Sequence, residues 1–185
     1  MKPRVFRSKG AWIVGWIWLV FAAFNAVDLI VRGSGAASLI AAAVLAVLTA
    51  VIYVTCLRPG IFVREDGVLV RNPLRDAFIP WAALGDVRVT HAILVESGDE
   101  TIRAWTPQVS TRELSRSRRR ADAAEALAGR THAHWVAEQI VEERVRARSR
   151  GGDSAASPSL TWSSVSLAAL GASLLFVVAA AVAAL

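Results

Sequence analysis

A dense cluster of arginines is the group of residues whose type and spacing predict a binding chemistry. It places five arginines within nine residues, opposed locally only by Glu113 and Asp122. A basic side chain near an anionic bilayer contributes about 1 kcal/mol of attraction, which decays over the Debye length. We therefore expect contact with anionic lipids, with a solvated loop that aids solubility and topology as the alternative. The five residues are Arg112, Arg116, Arg118, Arg119 and Arg120.

Patterns for catalysis or metal binding are missing from the sequence. His132 and His134 are two positions apart on a predicted helix, so they point to different faces and do not make the usual i, i+4 metal pair. His91 has no such neighbour, and the single cysteine, Cys56, has no partner for a disulfide. We predict no enzyme, no cofactor, no metal site and, since no aromatic residues interleave with the arginines, no nucleic acid partner. The tryptophans expected to pack in the core, rather than to form stacking platforms, are Trp81, Trp105 and Trp135.

Three long apolar stretches frame the polar part of the chain. They cover 11–31, 36–57 and 164–185, and the last two contain no charged residue. At about 1.5 Å of rise per residue, each helix would reach about 30 Å, the hydrocarbon thickness of a bilayer. We therefore predict three transmembrane helices. The second carries a ridge of small residues suited to close helix packing, namely Ala42, Ala46 and Ala50.

The distribution of arginine predicts the orientation of these helices. Residues 1–10 contain four basic residues and no acid, which favours the cytoplasmic side. Arg32, between the first two helices, is the one arginine predicted outside, and we expect it to pair with Asp28 rather than leave that acid to an ion pathway. The main domain would then lie in the cytoplasm, in a multi-pass protein of the cell membrane. A secretory signal peptide is the alternative, but the apolar run is long and a second one follows at once.

The polar middle predicts short strands. The runs 61–65 and 68–72 are rich in β-formers and flank Asp66-Gly67, a dipeptide typical of a type I′ hairpin turn. Short strands with local turns favour an antiparallel meander or a small barrel. The further predicted strands are 76–79, 87–90, 93–96 and 101–106, and Pro107 is expected to end the last of them.

A helix is predicted to complete this domain, over 132–148 with Thr131 as its N-cap. Glu143 is assigned to its solvent face. The segment 112–130 is interpreted as an arginine-rich insertion, and 149–163 as a flexible linker to the third apolar helix. The predicted apolar face of the helix consists of Val136, Ala137, Ile140, Val141 and Val145.

These residues and their order resemble a known family. The run Arg58-Pro-Gly-Ile-Phe-Val-Arg-Glu-Asp-Gly-Val-Leu-Val-Arg-Asn-Pro-Leu-Arg, followed by Phe78-Ile79-Pro80-Trp81 and Val87-Arg88-Val89, is similar to bacterial pleckstrin-homology-like (PH) domains. The subgroup it resembles is that of the actinobacterial low-molecular-weight protein antigen six. The resemblance covers 58–105 and implies an α+β membrane protein, with a bent antiparallel sheet or barrel capped by a C-terminal helix. It implies no agreed biochemical activity.

Two functions are compatible with this organisation. The first is a non-enzymatic, membrane-anchored PH-like adaptor that binds a protein partner or an inner-leaflet lipid and helps organise an envelope complex. The alternative is an accessory subunit of a membrane transport or export complex. Polar residues inside the apolar stretches would mark a transport pathway, and Asn25 and Asp28 are the few candidates, which favours the adaptor.

Changing Arg116, Arg118, Arg119 and Arg120 to Ser tests the arginine cluster. A soluble fragment that contains the polar part of the chain should bind anionic vesicles more weakly when these four charges are lost. The difference between wild type and variant should become steeply smaller as ionic strength rises, because salt screens the attraction. Vesicles of equal charge but different headgroups should bind alike, because the attraction is non-directional. Liposome co-sedimentation measures this. Equal binding by both proteins, or no binding of the wild type at low salt, would leave a solvated loop.

Overall fold

The computed structural model has α+β content and divides into two compact units. The first unit contains Met1–Ser8 and Gly60–Thr161, and the second contains Lys9–Pro59 and Trp162–Leu185. The residues that the structure describes are 4–89, 92–97, 100–108, 132–149 and 157–184.

Within these residues the first unit is formed by strands and one helix, and the second by three long helices. The strands are β1 (Arg4–Phe6), β2 (Gly60–Val63), β3 (Gly67–Arg71), β4 (Arg75–Pro80), β5 (Val87–Val89), β6 (Ala92–Ser97), β7 (Glu100–Gln108) and β8 (Ser159–Trp162). The helices are α1 (Lys9–Arg32), α2 (Gly35–Ile52, continued by a π-helical segment at Tyr53–Leu57), α3 (His132–Ser149) and α4 (Ser164–Ala184).

The helices α1, α2 with its π-helical segment, and α4 are each long and apolar enough to cross a membrane, judged by length and composition. Large apolar side chains remain exposed along them, such as Ile30 at 82% and Leu175 at 72%. Outside the π-helical segment, the buried positions are small residues spaced by seven, a period typical of helices that pack lengthwise. They are Gly15 and Ala22 on α1, Ala43 and Ala50 on α2, and Ser166, Ser173 and Ala180 on α4.

The predicted small-residue ridge on α2 coincides with these buried positions at one residue. Ala50 is buried, but Ala42 and Ala46 are only partly buried, and Ala43 takes the second buried position. The α1 seam requires a glycine, because a Cβ at Gly15 would lie 2.6 Å from Cγ of Leu57.

Polar contacts in the helical unit occur both within a helix and between helices. The predicted pair of Asp28 and Arg32 forms on α1, with 3.4 Å between the carboxylate and Nε. The indole of Trp18 donates a hydrogen bond to the hydroxyl of Thr49 at 3.1 Å, which joins α1 to α2. The connection between these helices requires Gly35, whose φ of 71° favours glycine.

The first unit contains two β-sheets. One has the strand order β1-β2-β3-β4-β8 and the other β5-β6-β7. The pairs β1–β2, β2–β3, β3–β4, β5–β6 and β6–β7 are all antiparallel, as predicted for this domain. Alternate residues of both sheets and one face of α3 enclose a single apolar core. Its fully buried members include Ile61, Val68, Val70, Ile79, Ile93, Val95, Val136 and Ile140.

The predicted hairpin exists, but its turn differs from the expected one. The amide of Arg64 donates to the carbonyl of Gly67 at 2.9 Å, so the loop residues are Glu65 and Asp66. Gly67 is the first residue of β3, and its φ is not in the left-handed region. Glycine is needed there because a Cβ would lie 2.3 Å from the carbonyl oxygen of Ile79.

Strands β1 and β8 were not predicted. β1 comes from the basic N-terminus and pairs with β2, and β8 comes from the predicted flexible linker 149–163 and lies beside β4. Each is short, and each forms only against a strand distant in sequence. Strand β7 also differs from the prediction, since it continues through Pro107 to Gln108. Proline is tolerated there because β7 is at an edge of its sheet.

Helix α3 buries a different face from the predicted one. Val136, Ala137 and Ile140 are buried as expected, whereas Val141 and Val145 are 44% and 62% exposed. The buried face continues through Glu143 and Ala147 instead. Glu143 is only 7% exposed in its side chain, and two arginines neutralise it: Arg4 of β1 at 3.5 Å and Arg146 at 3.0 Å.

The prediction that Trp81 is buried is confirmed. It is 3% exposed, and its indole N–H donates to the carbonyl of Glu65 at 2.9 Å. The side chain therefore both fills the core and holds the β2–β3 turn.

Replacing Trp81 with Ala should lower the free energy of unfolding by about 3–5 kcal/mol, because a large buried side chain is lost. Trp81→Phe keeps most of the packing and loses the hydrogen bond, so it should cost about 1–2 kcal/mol. The measurement is thermal or chemical unfolding of the full chain in detergent. The matched control is Trp105→Ala, since Trp105 is 46% exposed. Equal losses for the two Ala variants would contradict the packing role.

Candidate functional site

The predicted lipid-contact residues cannot be placed in a site. Arg112, Arg116, Arg118, Arg119 and Arg120 lie outside the described residues, as does His91. Within the ranges that the structure describes, no group of three or more His, Cys, Asp or Glu could hold a metal ion.

A different basic cluster is formed by strand pairing on the five-stranded sheet. Gly60 of β2 is opposite Arg71 of β3, and Arg7, the residue after β1, lies beside Gly60 on the other side. Because residues two apart in a strand share a face, Phe62 lies on the same face as Gly60. Phe62 is in turn opposite Val5 of β1. This face is opposite to the one that carries the core residues of β2.

The two arginines stack on the ring of Phe62. The guanidinium carbon of Arg71 lies 4.7 Å from the ring centroid, and that of Arg7 lies 5.4 Å from it. Such cation–π contacts contribute about 0.5–1 kcal/mol each at partly exposed sites. We call this arrangement the arginine–phenylalanine stack, formed by Arg7, Phe62 and Arg71.

Gly60 makes room for this stack. A Cβ at Gly60 would lie 2.9 Å from Cγ of Arg7 and 3.1 Å from the carbonyl oxygen of Phe6. The side chain of Arg7 therefore lies against the backbone at Gly60, which a larger residue would prevent.

The arginines of the stack have no anionic partner among the described residues. Arg4, Arg32, Arg88 and Arg146 each pair with a carboxylate. Arg7 and Arg71 form no such pair, and their Nε atoms are buried without a hydrogen-bond acceptor in the described part of the chain. Two cations therefore share one ring, with donors still to satisfy.

An asparagine joins the two sheets next to this stack. The side-chain amide of Asn72 donates to the carbonyl of Arg103 at 2.9 Å, and its oxygen accepts from the amide of Trp105 at 2.7 Å. Asn72 thereby pairs with β7 as a backbone unit of a strand would. The sequence suggested only that β3 would continue to this position.

The loop before β5 is fixed by charge. The guanidinium of Arg88 bonds to Asp86 at 3.0 Å and to Glu96 at 3.3 Å. The hydrogen bond between Arg88 and Asp86 is the main cause of the lowered pKa of Asp86, and it also raises the pKa of Arg88. The ionised carboxylate of Asp86 therefore stabilises the folded state at any pH above its ordinary pKa. This stabilisation is lost as the pH falls through the lowered pKa.

Two tryptophans contradict the prediction of core packing. Trp105 is 46% exposed and Trp135 is 45% exposed. Trp135 packs edge-on against Phe6, with ring centroids 5.5 Å apart, and Phe6 rather than Trp135 fills the core. Phe6 is the last residue of β1, a strand that was not predicted.

Part of the chain matches a known protein family. Residues 58–134 match the family model of the bacterial PH domain. The resemblance inferred from the sequence is thus confirmed for this segment, which suggests an adaptor-type module. Strands β1 and β8 lie outside the matched segment. No curated protein and no solved structure matches the chain.

Sequence reasoning missed the arginine–phenylalanine stack for an identifiable reason. The register of the β2–β3 hairpin pairs Gly60 with Arg71 and places Phe62 on the same face. The proximity of Phe62 and Arg71 could therefore have been predicted from the sequence. Arg7 was interpreted only as a topology signal, because no local pattern marks β1 as a strand.

The joint at Asn72 can be tested by substitution. Asn72→Ala leaves the amide of Trp105 and the carbonyl of Arg103 without these partners, so the free energy of unfolding should fall by about 1–3 kcal/mol. Asn72→Asp keeps the acceptor for Trp105 and is the matched control. Hydrogen exchange of the Trp105 amide should accelerate in the Ala variant and much less in the Asp variant. Unchanged exchange in both would show that the two sheets do not depend on this residue.

Proposed function

We propose that this protein is an integral membrane adaptor with its PH-like domain on the cytoplasmic side. Helices α1, α2 and α4 span the membrane, and the domain binds a protein partner or an inner-leaflet lipid and helps organise an envelope complex. The observation that carries this proposal is the exposure of large apolar side chains on three helices that flank a domain with its own core.

The exposed apolar surface supports insertion into a bilayer. Phe24, Val31 and Leu175 are each more than 70% exposed, whereas the contacts among the three helices bury mostly small residues. Water-soluble proteins do not leave continuous apolar surface of this extent uncovered. Lipid would cover it, and the helices satisfy their own backbone hydrogen bonds, as a membrane requires.

The adaptor role is supported by the family match and by the surface of the domain. Apolar side chains remain exposed on α3 and β7, at Val141, Val145 and Trp105, and could contribute to binding a protein. The cluster from Arg112 to Arg120 adds a proposed contact with anionic lipid, close in sequence to this domain.

An accessory subunit of a transport or export complex is the second candidate. An apolar groove of about 840 Å³ in the helical unit favours it, lined by small residues of α1 and α2 such as Ala22, Ala26, Ala42 and Ala46. Small residues permit close approach of another transmembrane helix. Purification in mild detergent followed by mass spectrometry distinguishes the two, since a subunit should retain stoichiometric transmembrane partners.

Cysteine labelling tests the proposed topology. Cys56 is the only cysteine, so Cys56→Ser gives a background into which Ser34→Cys or Asp66→Cys can be introduced. Ser34 lies between α1 and α2, and Asp66 in the exposed β2–β3 loop. An impermeant maleimide added to intact cells of a bacterial host should label position 34 and leave position 66 unlabelled.

Permeabilised cells provide the control, since both positions should then react. Labelling of both positions from the same side of intact cells would contradict the proposed topology. Release of the protein from membranes by alkaline carbonate would contradict insertion itself.

A further inference from the structure

The arginine–phenylalanine stack has the composition of a site for a doubly charged oxyanion. Arg7 and Arg71 each present a planar fork of N–H donors, which matches the oxygen atoms of phosphate. Both guanidinium carbons lie within 5.4 Å of one ring centroid, so two positive charges meet at the same aromatic side chain.

The surroundings leave the charges of both arginines without a counter-ion in the described part of the chain. Among the described residues, neither arginine has a carboxylate partner, and the Nε atoms of both are buried without an acceptor. A buried donor without an acceptor destabilises the folded state, and so does the repulsion of two cations on one ring. An anion bound by the terminal N–H groups of both arginines removes the repulsion between the two charges.

The stack is also organised before any ligand arrives. Phe62 holds both guanidinium planes, and the absence of a side chain at Gly60 lets Arg7 lie against the backbone. Arginine side chains lose considerable rotamer freedom when they are immobilised, and here much of that loss precedes binding. Arg7 follows β1 directly, Gly60 is on β2 and Arg71 is on β3, and these three strands are hydrogen-bonded neighbours.

We propose that Arg7 and Arg71 jointly bind a phosphate group at Phe62, and that the group belongs to a lipid headgroup. The choice of a lipid rests on the proposed membrane insertion. Arg7 precedes the first residue of α1 by two positions, and a chain of two residues extends at most about 7 Å. Gly60 follows the π-helical end of the second apolar helix by three positions. Chain length alone thus keeps the stack within reach of the headgroup layer.

Calorimetric titration of the full chain in nonionic detergent tests this site. The two probes are inorganic phosphate and dihexanoyl phosphatidic acid, a short-chain lipid with the same phosphate chemistry. The lipid should bind at least about tenfold more tightly than inorganic phosphate, because its glycerol and acyl portion adds apolar contact. Equal affinities would assign the site to a free phosphate and overturn the lipid source.

Two double variants distinguish a site from general attraction by charge. Arg7→Gln with Arg71→Gln should weaken binding of the lipid about tenfold or more, because two charged hydrogen-bond donors are lost. Arg64→Gln with Arg103→Gln removes the same charge from exposed positions of the same domain and should change the affinity less than about twofold. Equal losses in the two double variants, or no saturable binding to wild type at millimolar probe, would overturn the proposal.

Charge-preserving variants keep the test valid if the glutamine variant unfolds. Arg7→Lys with Arg71→Lys retains both charges but loses the planar forks, so affinity should still fall. Phe62→Leu retains both arginines and removes the ring that orders them, and it should weaken binding without changing the charge. Unchanged affinity in both variants, with unchanged melting temperature, would also overturn the proposal. Because titration in detergent does not depend on sidedness, its failure is distinguishable from failure of the membrane topology.

Discussion

The fold of the polar unit depends on covering one apolar face of its five-stranded sheet. Ile61, Val68, Val70 and Ile79 all project from this face and are completely buried. Short strands cannot remain paired in water unless such a face is removed from solvent. The second sheet and α3 supply that cover, with Ile93, Val95, Val136 and Ile140 in the same core. The contacts of Asn72, Trp81 and Arg4 are arranged around this core and hold its edges in register.

Charged groups in this unit fall into two physical classes. Glu143 is almost fully buried and is neutralised by Arg4 and Arg146, so its charge is satisfied inside the protein. A buried carboxylate with such partners fixes the position of the elements that carry them, here β1 and α3. Arg7 and Arg71 differ, because among the described residues they contact an aromatic ring and no acid. The first arrangement serves the architecture, whereas the second leaves binding capacity on the opposite face of the sheet.

The parts of the fold that were predictable are those determined by local pattern. The β2–β3 hairpin and the helix after Thr131 follow from residue type and period within a few positions. The missed features require a partner far away in sequence. The buried face of α3 includes Glu143 and not Val141, and Arg4, more than a hundred residues earlier, pairs with this carboxylate. The stack at Phe62 was missed for the same reason, since Arg7 reaches it only through β1. The arginine cluster from Arg112 to Arg120 stays a prediction from composition.

The attachment of β1 gives the sheet a mechanical property. The C-terminal end of β1 and the N-terminal end of β2 are adjacent, at the pair Phe6 and Ile61. The chain leaves β1 toward α1, and it enters β2 from the end of α2. A tension that draws those two helix ends apart would load this pair first and then the next two pairs in turn. Strands loaded in this sequence separate like a zipper, at lower force than strands pulled in shear. Strand β1 would thus be the first strand to separate from the sheet under such a tension.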